Sequence, residues 1–232
     1  MKNSPVAVIP WHLQIWARMK SHFFLKTVGI SIFMWGFFTA YFYLLKHPLY
    51  PITIMPLTAL DRAVGFTPQA LFLYASLWLY VTLPPGLLAN RRELIFYGLA
   101  VGALCVAGLA FFLFWPTAIP LTHVDWAQHV GFSILKEVDA SGNACPSLHV
   151  ATAVFSGMWL NQILTEVNAP RPLRILNWIW CIGIAYSTLA IKQHVALDMI
   201  AGAALGMGAA LLSLQLLMRS RRAPKLEQLQ RL

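Results

Sequence analysis

Six long runs of apolar residues constrain the fold of this chain more than any other feature of its sequence. The runs cover residues 27–45, 67–86, 94–115, 147–164, 175–191 and 195–218, and Asp198 is the only charged residue inside them. A helix needs about 20 apolar residues to cross the hydrocarbon core of a bilayer, and each run is near that length. The runs therefore predict an all-α integral membrane protein, a bundle of six transmembrane helices.

The composition excludes several other classes of protein. Apolar residues make up 59% of the chain and charged residues 11%, whereas about a quarter of the residues of a soluble domain are charged. Three widely spaced cysteines, Cys105, Cys145 and Cys181, predict neither a disulfide framework nor a zinc site. The net charge of +9 is expected to anchor loops at the membrane rather than to bind nucleic acid.

The distribution of basic residues predicts the orientation in the membrane. Lys and Arg in short loops are retained on the cytoplasmic side. If the N-terminus lies inside, thirteen of the 17 basic residues are cytoplasmic, and only Lys46, Arg62, Lys136 and Lys192 lie outside. Both termini are then cytoplasmic, and the outward segments are 46–66, 116–146 and a tight turn at 192–194.

The spans divide the chain into three parts. Residues 1–26 form a cytoplasmic N-terminal segment, 27–218 the six-span catalytic membrane domain, and 219–232 a basic cytoplasmic tail. Apolar residues recur every four positions in the first part, which favours an amphipathic helix on the inner membrane surface over an unstructured tail. They are Trp11, Ile15, Met19 and Phe23. The first run lacks a clear cleavage site and is interpreted as an uncleaved span. In the second run, Pro84 and Pro85 are expected to end the helix.

Ionisable residues gather at the predicted outer ends of the spans. His149 follows Pro146 and Ser147 at the start of the fourth run, where unpaired backbone N–H groups can bind an anion. Equally, Ser147 could simply cap the helix. His194 and Asp198 are spaced i, i+4 on the sixth run, so the carboxylate can orient the imidazole of a nucleophile or base.

These motifs resemble those of the type-2 phosphatidic acid phosphatase superfamily. Pro146-Ser147-Leu148-His149 resembles its Pro-Ser-Gly-His motif, and the stretch 187–198 resembles Ser-Arg-x5-His-x3-Asp. The Leu at position 148 is closer to the inositol phosphorylceramide synthase and sphingomyelin synthase branch. The resemblance implies a metal-independent, cofactor-free mechanism in which His194 attacks phosphorus, Asp198 orients it and His149 acts as acid and base.

Two departures from the family pattern concern the cations that bind phosphate. Thr188 replaces the Arg of the third motif, and residues 114–120 lack the Lys-x6-Arg-Pro of the first. Candidate substitutes are Lys192, which could equally be an interfacial anchor, Arg62, which could equally pair with Asp61, His123 and the backbone at Ser147. Ser187 and Asn143 complete the predicted substrate contacts, although the sequence around Asn143 favours a simple turn role. The segment 139–143 is expected to bend over the cavity entrance.

The sequence thus predicts a lipid phosphatase or phosphotransferase of a bacterial inner membrane, with its active site facing the periplasm. Its predicted partners are a phosphorylated lipid and membrane lipids, and its oligomeric state is not predicted. Three alternatives remain open: a transporter or lipid-binding protein, an assembly factor that uses Gly202 and Gly206 against a partner helix, and a zinc site at His149, His194 and Asp198.

Overall fold

The computed structural model describes residues 9–120 and 142–229, and this part of the chain is mostly helical. His123 and the first part of the predicted entrance segment, residues 139–141, lie outside it. The described helices are α1 (Trp11–Lys20), α2 (Phe23–Lys46), α3 (Ala59–Ala63), α4 (Ala70–Ala75), α5 (Leu77–Tyr80), α6 (Leu83–Leu87), α7 (Arg91–Phe114), α8 (Leu148–Glu166), α9 (Arg171–Ala190) and α10 (Ala196–Leu229). Two short strands, β1 (Thr53–Ile54) and β2 (Thr117–Ala118), pair in parallel.

Four of the described helices are long and apolar enough to cross a membrane. They are α2, α7, α9 and the part of α10 from Ala196 to Arg222. They correspond to the first, third, fifth and sixth apolar runs. The fourth run forms α8, a helix of 19 residues that is not among these four. The prediction of transmembrane helices is thus confirmed at four positions.

The second apolar run is not one continuous helix. It is divided into α4, α5 and α6, with the first break at Ser76. Pro84 and Pro85 lie in the first turn of α6, where the missing N–H groups need no partner, so they begin a short helix instead of ending a long one. The three helices have six, four and five residues, so the run can bend around α8, against which both α5 and α6 pack.

Helix α8 forms the centre of the bundle. It packs against α5, α6, α7, α9 and α10, and Phe155 and Trp159 on it are almost completely buried. Its contact with α10 depends on Gly202 and Gly206, because a Cβ at either position would collide with the backbone oxygens of Ser147 and Ala151. These glycines therefore pack against α8 within the bundle.

Ion pairs join the helices at the end of the bundle opposite to His149 and His194. Arg221 of α10 contacts Glu93 of α7 at 2.8 Å and Glu166 of α8 at 2.6 Å. Arg18 of α1 lies 3.8 Å from Glu166, so the amphipathic N-terminal helix joins the same cluster. Lys26 also holds α1 in place by donating to the backbone oxygens of Arg18 and Gly86.

The strands position the loop that leads into α8. Thr53 and Ile54 pair with Thr117 and Ala118, and Ala118 also forms a bridge to Gly142. The buried hydroxyl of Thr117 accepts a hydrogen bond from the N–H of Cys145 at 2.7 Å. The segment 114–120 thus holds the chain that carries Ser147 and His149.

Candidate active site

His194 lies in the turn between α9 and α10. The backbone N–H groups of Gln193 and His194 both donate to the oxygen of Thr188, at 3.0 and 3.1 Å. Lys192 adopts a left-handed conformation with φ 58°, which lets the chain reverse direction within a few residues. The turn therefore places His194 two residues before Ala196, the first residue of α10.

Asp198 has two roles in the first turn of α10. Its Oδ1 accepts the N–H of Val195 at 3.0 Å, so it caps the helix that carries it. Its Oδ2 lies 3.3 Å from Nδ1 of His194. The carboxylate is fully buried, and its Oδ2 lies at ion-pair distance from Nδ1 of His194 without meeting the geometry of a hydrogen bond. Because Nδ1 faces Asp198, Nε2 is the ring nitrogen on the opposite side.

Ser147 joins the two histidine-bearing segments. Its Oγ accepts the N–H of Val150 at 3.3 Å and so caps α8. Its own N–H donates to the backbone oxygen of Asp198 at 3.0 Å. Both contacts are structural, and they set the start of α8 against the start of α10.

His149 lies in the first turn of α8 between two aromatic residues. Its ring stacks on Tyr74, with centroids 3.9 Å apart and planes 15° from parallel, and Trp78 approaches it edge-on at 6.2 Å. Its Nε2 is buried and has no hydrogen-bond partner among the described residues. Since buried polar atoms are rarely left unpaired, this nitrogen is suited to a ligand.

Both histidines line one cavity of about 550 Å³. At one end lie Asn143, His149 and His194, and at the other lies Lys26. Between them the lining consists mainly of apolar side chains of α2, α4, α5 and α7. The lining residues of α2 extend from Leu25 to Phe42, 17 residues apart, which corresponds to about 25 Å at 1.5 Å per residue. The cavity is thus nearly as deep as the hydrocarbon core of a bilayer.

Lys192 does not line this cavity. Its ammonium group donates to the backbone oxygens of Asp61, at 2.9 Å, and of Val64. Asp61 in turn accepts the N–H of Ala196 at 2.7 Å and both the N–H and the hydroxyl of Thr58. Burial alone would raise the pKa of Asp61, but these hydrogen bonds and the nearby Lys192 outweigh it and hold the pKa below its ordinary value.

The other predicted substrate contacts are distributed as follows. Arg62 is exposed and donates to the backbone oxygen of Leu57, so Asp61 and Arg62 have different partners. Ser187 is buried and donates to the oxygen of Ile184 in its own helix. Asn143 donates to the oxygen of Tyr41 at 3.2 Å and lines the cavity beside the histidines. Of the predicted set, the structure therefore brings His149, His194 and Asn143 to the cavity, with Asp198 behind His194.

Three residues with structural links to the site were not predicted from the sequence. Tyr74 supports the ring of His149, Thr117 holds Cys145, and the carboxylate of Asp61 binds the N–H of Ala196. A Thr followed by Asp at the third position is the pattern of a helix N-terminal cap, so Thr58 and Asp61 carried a readable local signal. The contact with Ala196 joins residues 135 apart, and no local pattern indicates it.

Residues 9–120 and 142–229 contain no group of three or more His, Cys, Asp or Glu side chains placed to hold a metal ion. A metal site at His149, His194 and Asp198 is thus not among the arrangements found in this part of the chain. That the reaction needs no metal stays a prediction.

A comparison with family models gives one match, the PAP2 superfamily, over residues 93–222. The match covers more than half of the 232 residues and includes α7 from Glu93 onward, α8, α9 and α10 as far as Arg222. No curated protein and no solved structure matches the chain.

Proposed function

The chain belongs to the PAP2 superfamily, whose members are phosphatases and phosphotransferases, and we propose that it acts on a phosphorylated lipid through a phosphohistidine intermediate. One observation carries this proposal: His194, backed by Asp198, and the unpaired Nε2 of His149 belong to the same cavity. A nucleophile with an orienting carboxylate and a separate acid/base group is what a two-step displacement requires.

In the first step, Nε2 of His194 attacks phosphorus and the bond from phosphorus to the leaving oxygen breaks. His149 delivers the proton that this oxygen takes up. Asp198 holds the proton on Nδ1 of His194, which places the lone pair on Nε2 and balances the charge of the phosphorylated ring. In the second step, water or an alcohol loses its proton to His149 and attacks phosphorus, and the bond to His194 breaks.

The shape of the cavity supports a lipid as the substrate. Its apolar lining extends from the histidines for about 25 Å, estimated from the helix rise, and suits an alkyl or prenyl chain whose phosphate lies at His149 and His194. Burial of each methylene group contributes about 0.8 kcal/mol, so the chain would supply much of the binding energy. A soluble phosphate ester would leave this surface without a ligand.

Hydrolysis and transfer share these residues. They differ only in the molecule that attacks the phosphohistidine, which is water in hydrolysis and an alcohol in transfer. Leu148 in place of the usual Gly supports the transferase branch similar to inositol phosphorylceramide synthase, as does a cavity lined mainly by apolar side chains, which limits access of water. The cluster at Arg221, opposite to the histidines, supports the cytoplasmic placement of that end, because basic residues are retained inside. The active site would then face the periplasm of a bacterial inner membrane.

The test compares detergent-purified wild type with His194→Ala on a panel of lipid phosphates and phosphodiesters, each measured with and without chelator. Free phosphate and lipid products are followed by mass spectrometry. Turnover by wild type alone would support the enzyme, and its persistence in chelator would support metal independence. Free phosphate identifies a phosphatase, and a new lipid that carries the moved group identifies a transferase.

Equal behaviour of the two proteins on every substrate, including a native lipid extract, would contradict the proposal. It would favour a transporter or lipid-binding protein that uses the same cavity without chemistry. Activity that is lost in chelator and restored by zinc would contradict the assignment of His194 as nucleophile.

A further inference from the structure

Two charged side chains, one acidic and one basic, join α3 and the residue after it to the turn that carries His194. The carboxylate of Asp61 accepts the N–H of Ala196 at 2.7 Å. In the other direction, the ammonium group of Lys192 donates to the backbone oxygens of Asp61 and Val64. One contact lies on each side of His194 in sequence, so α3 holds the turn at both ends.

The contact at Ala196 satisfies a group that the helix itself cannot satisfy. Ala196 is the first residue of α10, and the first N–H groups of a helix have no partner within the helix. Val195, immediately before it, donates to Asp198. Two carboxylates from different parts of the chain therefore bind consecutive N–H groups directly after His194. The positive N-terminal end of the helix dipole stabilises both negative charges.

Asp61 is itself fixed by its neighbours. It is 7% exposed, and its second oxygen accepts the N–H and the hydroxyl of Thr58, each at 2.7 Å. Every oxygen of this carboxylate is thus engaged, and three donors converge on it. A side chain held in this way has little freedom, so it transmits the position of α3 to the start of α10.

We propose that Asp61 is a positioning residue for His194, which holds the turn 192–196 so that the imidazole stays between Asp198 and the cavity. The inference rests on the proposed function, because the residue that Asp61 positions is the proposed nucleophile. Asp61 itself lies outside the residues matched by the family model. Lys192 belongs to the same clamp, and its contacts assign it to the backbone of α3 instead of to phosphate. Displacement of a reacting group by about 1 Å costs on the order of 10²-fold in rate, so loss of the clamp should lower kcat.

The test uses Asp61→Asn and Asp61→Ala in the full chain. Both oxygens of Asp61 accept hydrogen bonds, whereas Asn has only one acceptor oxygen. The NH₂ group of Asn must therefore face a group that donates, and at least one hydrogen bond is lost. We expect kcat to fall at least about tenfold in Asn and about 10²-fold in Ala, with KM changed less than about threefold. Lys192→Met should likewise lower kcat. If Lys192 instead bound phosphate, its replacement by Met would raise KM.

Glu166→Gln is the matched control, since it removes a carboxylate with several partners at the opposite end of the bundle. It should lower the melting temperature and leave kcat unchanged. If Asp61→Asn does not fold, Thr58→Val removes the hydroxyl that donates to the Asp61 carboxylate and accepts the N–H of Asp61, leaves the carboxylate itself in place, and should give a smaller fall in kcat.

A second readout needs no substrate. Diethyl pyrocarbonate modifies histidine, and its rate at His194 is followed by peptide mass spectrometry. The proposal predicts a several-fold change in that rate in Asp61→Asn and none in Glu166→Gln. Wild-type values of both kcat and modification rate in Asp61→Asn would overturn it, whatever the change in stability. If wild type shows no activity that depends on His194, the proposed function fails, and the modification rate alone decides the role of Asp61.

Discussion

Gly29 offers a direct test of whether the cavity holds the apolar chain of the substrate. A Cβ at Gly29 would meet no atom within 4 Å, and the residue lines the cavity near its Lys26 end. A larger side chain at Gly29 therefore starts in open space, and Gly29→Phe is expected to occupy this end of the cavity. Gly36 lies on the same helix, is equally open and does not line the cavity, so Gly36→Phe is the matched control.

The size of the effect follows from the length of chain that is excluded. Each methylene group that binds in the cavity contributes about 0.8 kcal/mol, or about fourfold in kcat/KM. If the phenyl ring excludes three methylene groups, the longest substrates lose about 2.4 kcal/mol, roughly 60-fold in kcat/KM. Substrates too short to reach Gly29 should be unaffected.

The assay measures kcat/KM for a series of lipid phosphates that differ only in chain length. Wild type and Gly36→Phe should both prefer the longer chains, and Gly29→Phe should lose that preference. If both variants lower kcat/KM by the same factor at every chain length, or if neither changes the profile, the chain does not bind in this cavity.

Three further predictions concern single residues of the site and its supports. Asp198→Asn can still accept the N–H that caps α10 but can no longer hold the His194 tautomer, so kcat should fall by roughly 10³- to 10⁴-fold at near-normal melting temperature; a fall below tenfold would refute the orienting role. Gly108→Ala would bring a Cβ into the side chain of Leu148 and should destabilise the fold by about 1–3 kcal/mol, and thermal unfolding of the double variant with Leu148→Ala should show coupling between the two changes. The pKa of Asp61 is lower in the folded protein than its ordinary value of 3.8, so its stabilising contribution is complete above that value and is lost as pH falls through the folded pKa. The melting temperature of wild type should therefore drop more steeply than that of Asp61→Asn below about pH 4, and parallel curves would contradict this.

The parts of the fold that follow from local pattern could be predicted from the sequence. The bounds of α2 and α7 lie within a few residues of the apolar runs, because hydropathy and length alone specify such helices. The run 67–86 could not be interpreted in this way. Like the runs of α2 and α7, it has no charged residue, but its division into α4, α5 and α6 depends on the packing of α5 and α6 against α8 as well as on Pro84 and Pro85.

The same distinction applies within the site. His194 and Asp198 are four residues apart, and this spacing predicted their contact. The contact is present, although His194 lies in the turn before α10 and not on the helix. The partners of Lys192 lie 131 and 128 residues away, and a lysine beside a predicted catalytic histidine is typical of phosphate binding. Sequence reasoning therefore assigned it to the substrate, whereas the structure has it on the carbonyl groups of α3. Tyr74 was likewise hidden in an apolar run, although it stacks on His149.

The most direct test of the central claim is a search for phosphate on residue 194. Wild type is mixed with substrate labelled at phosphorus, denatured within milliseconds in base, which preserves phosphohistidine, and digested for mass spectrometry. We predict labelled phosphate, or the transferred phosphate ester, on the peptide that contains His194, and none in His194→Ala or after chase with unlabelled acceptor. Turnover by wild type with no label on His194, or with label on His149 instead, would contradict the mechanism.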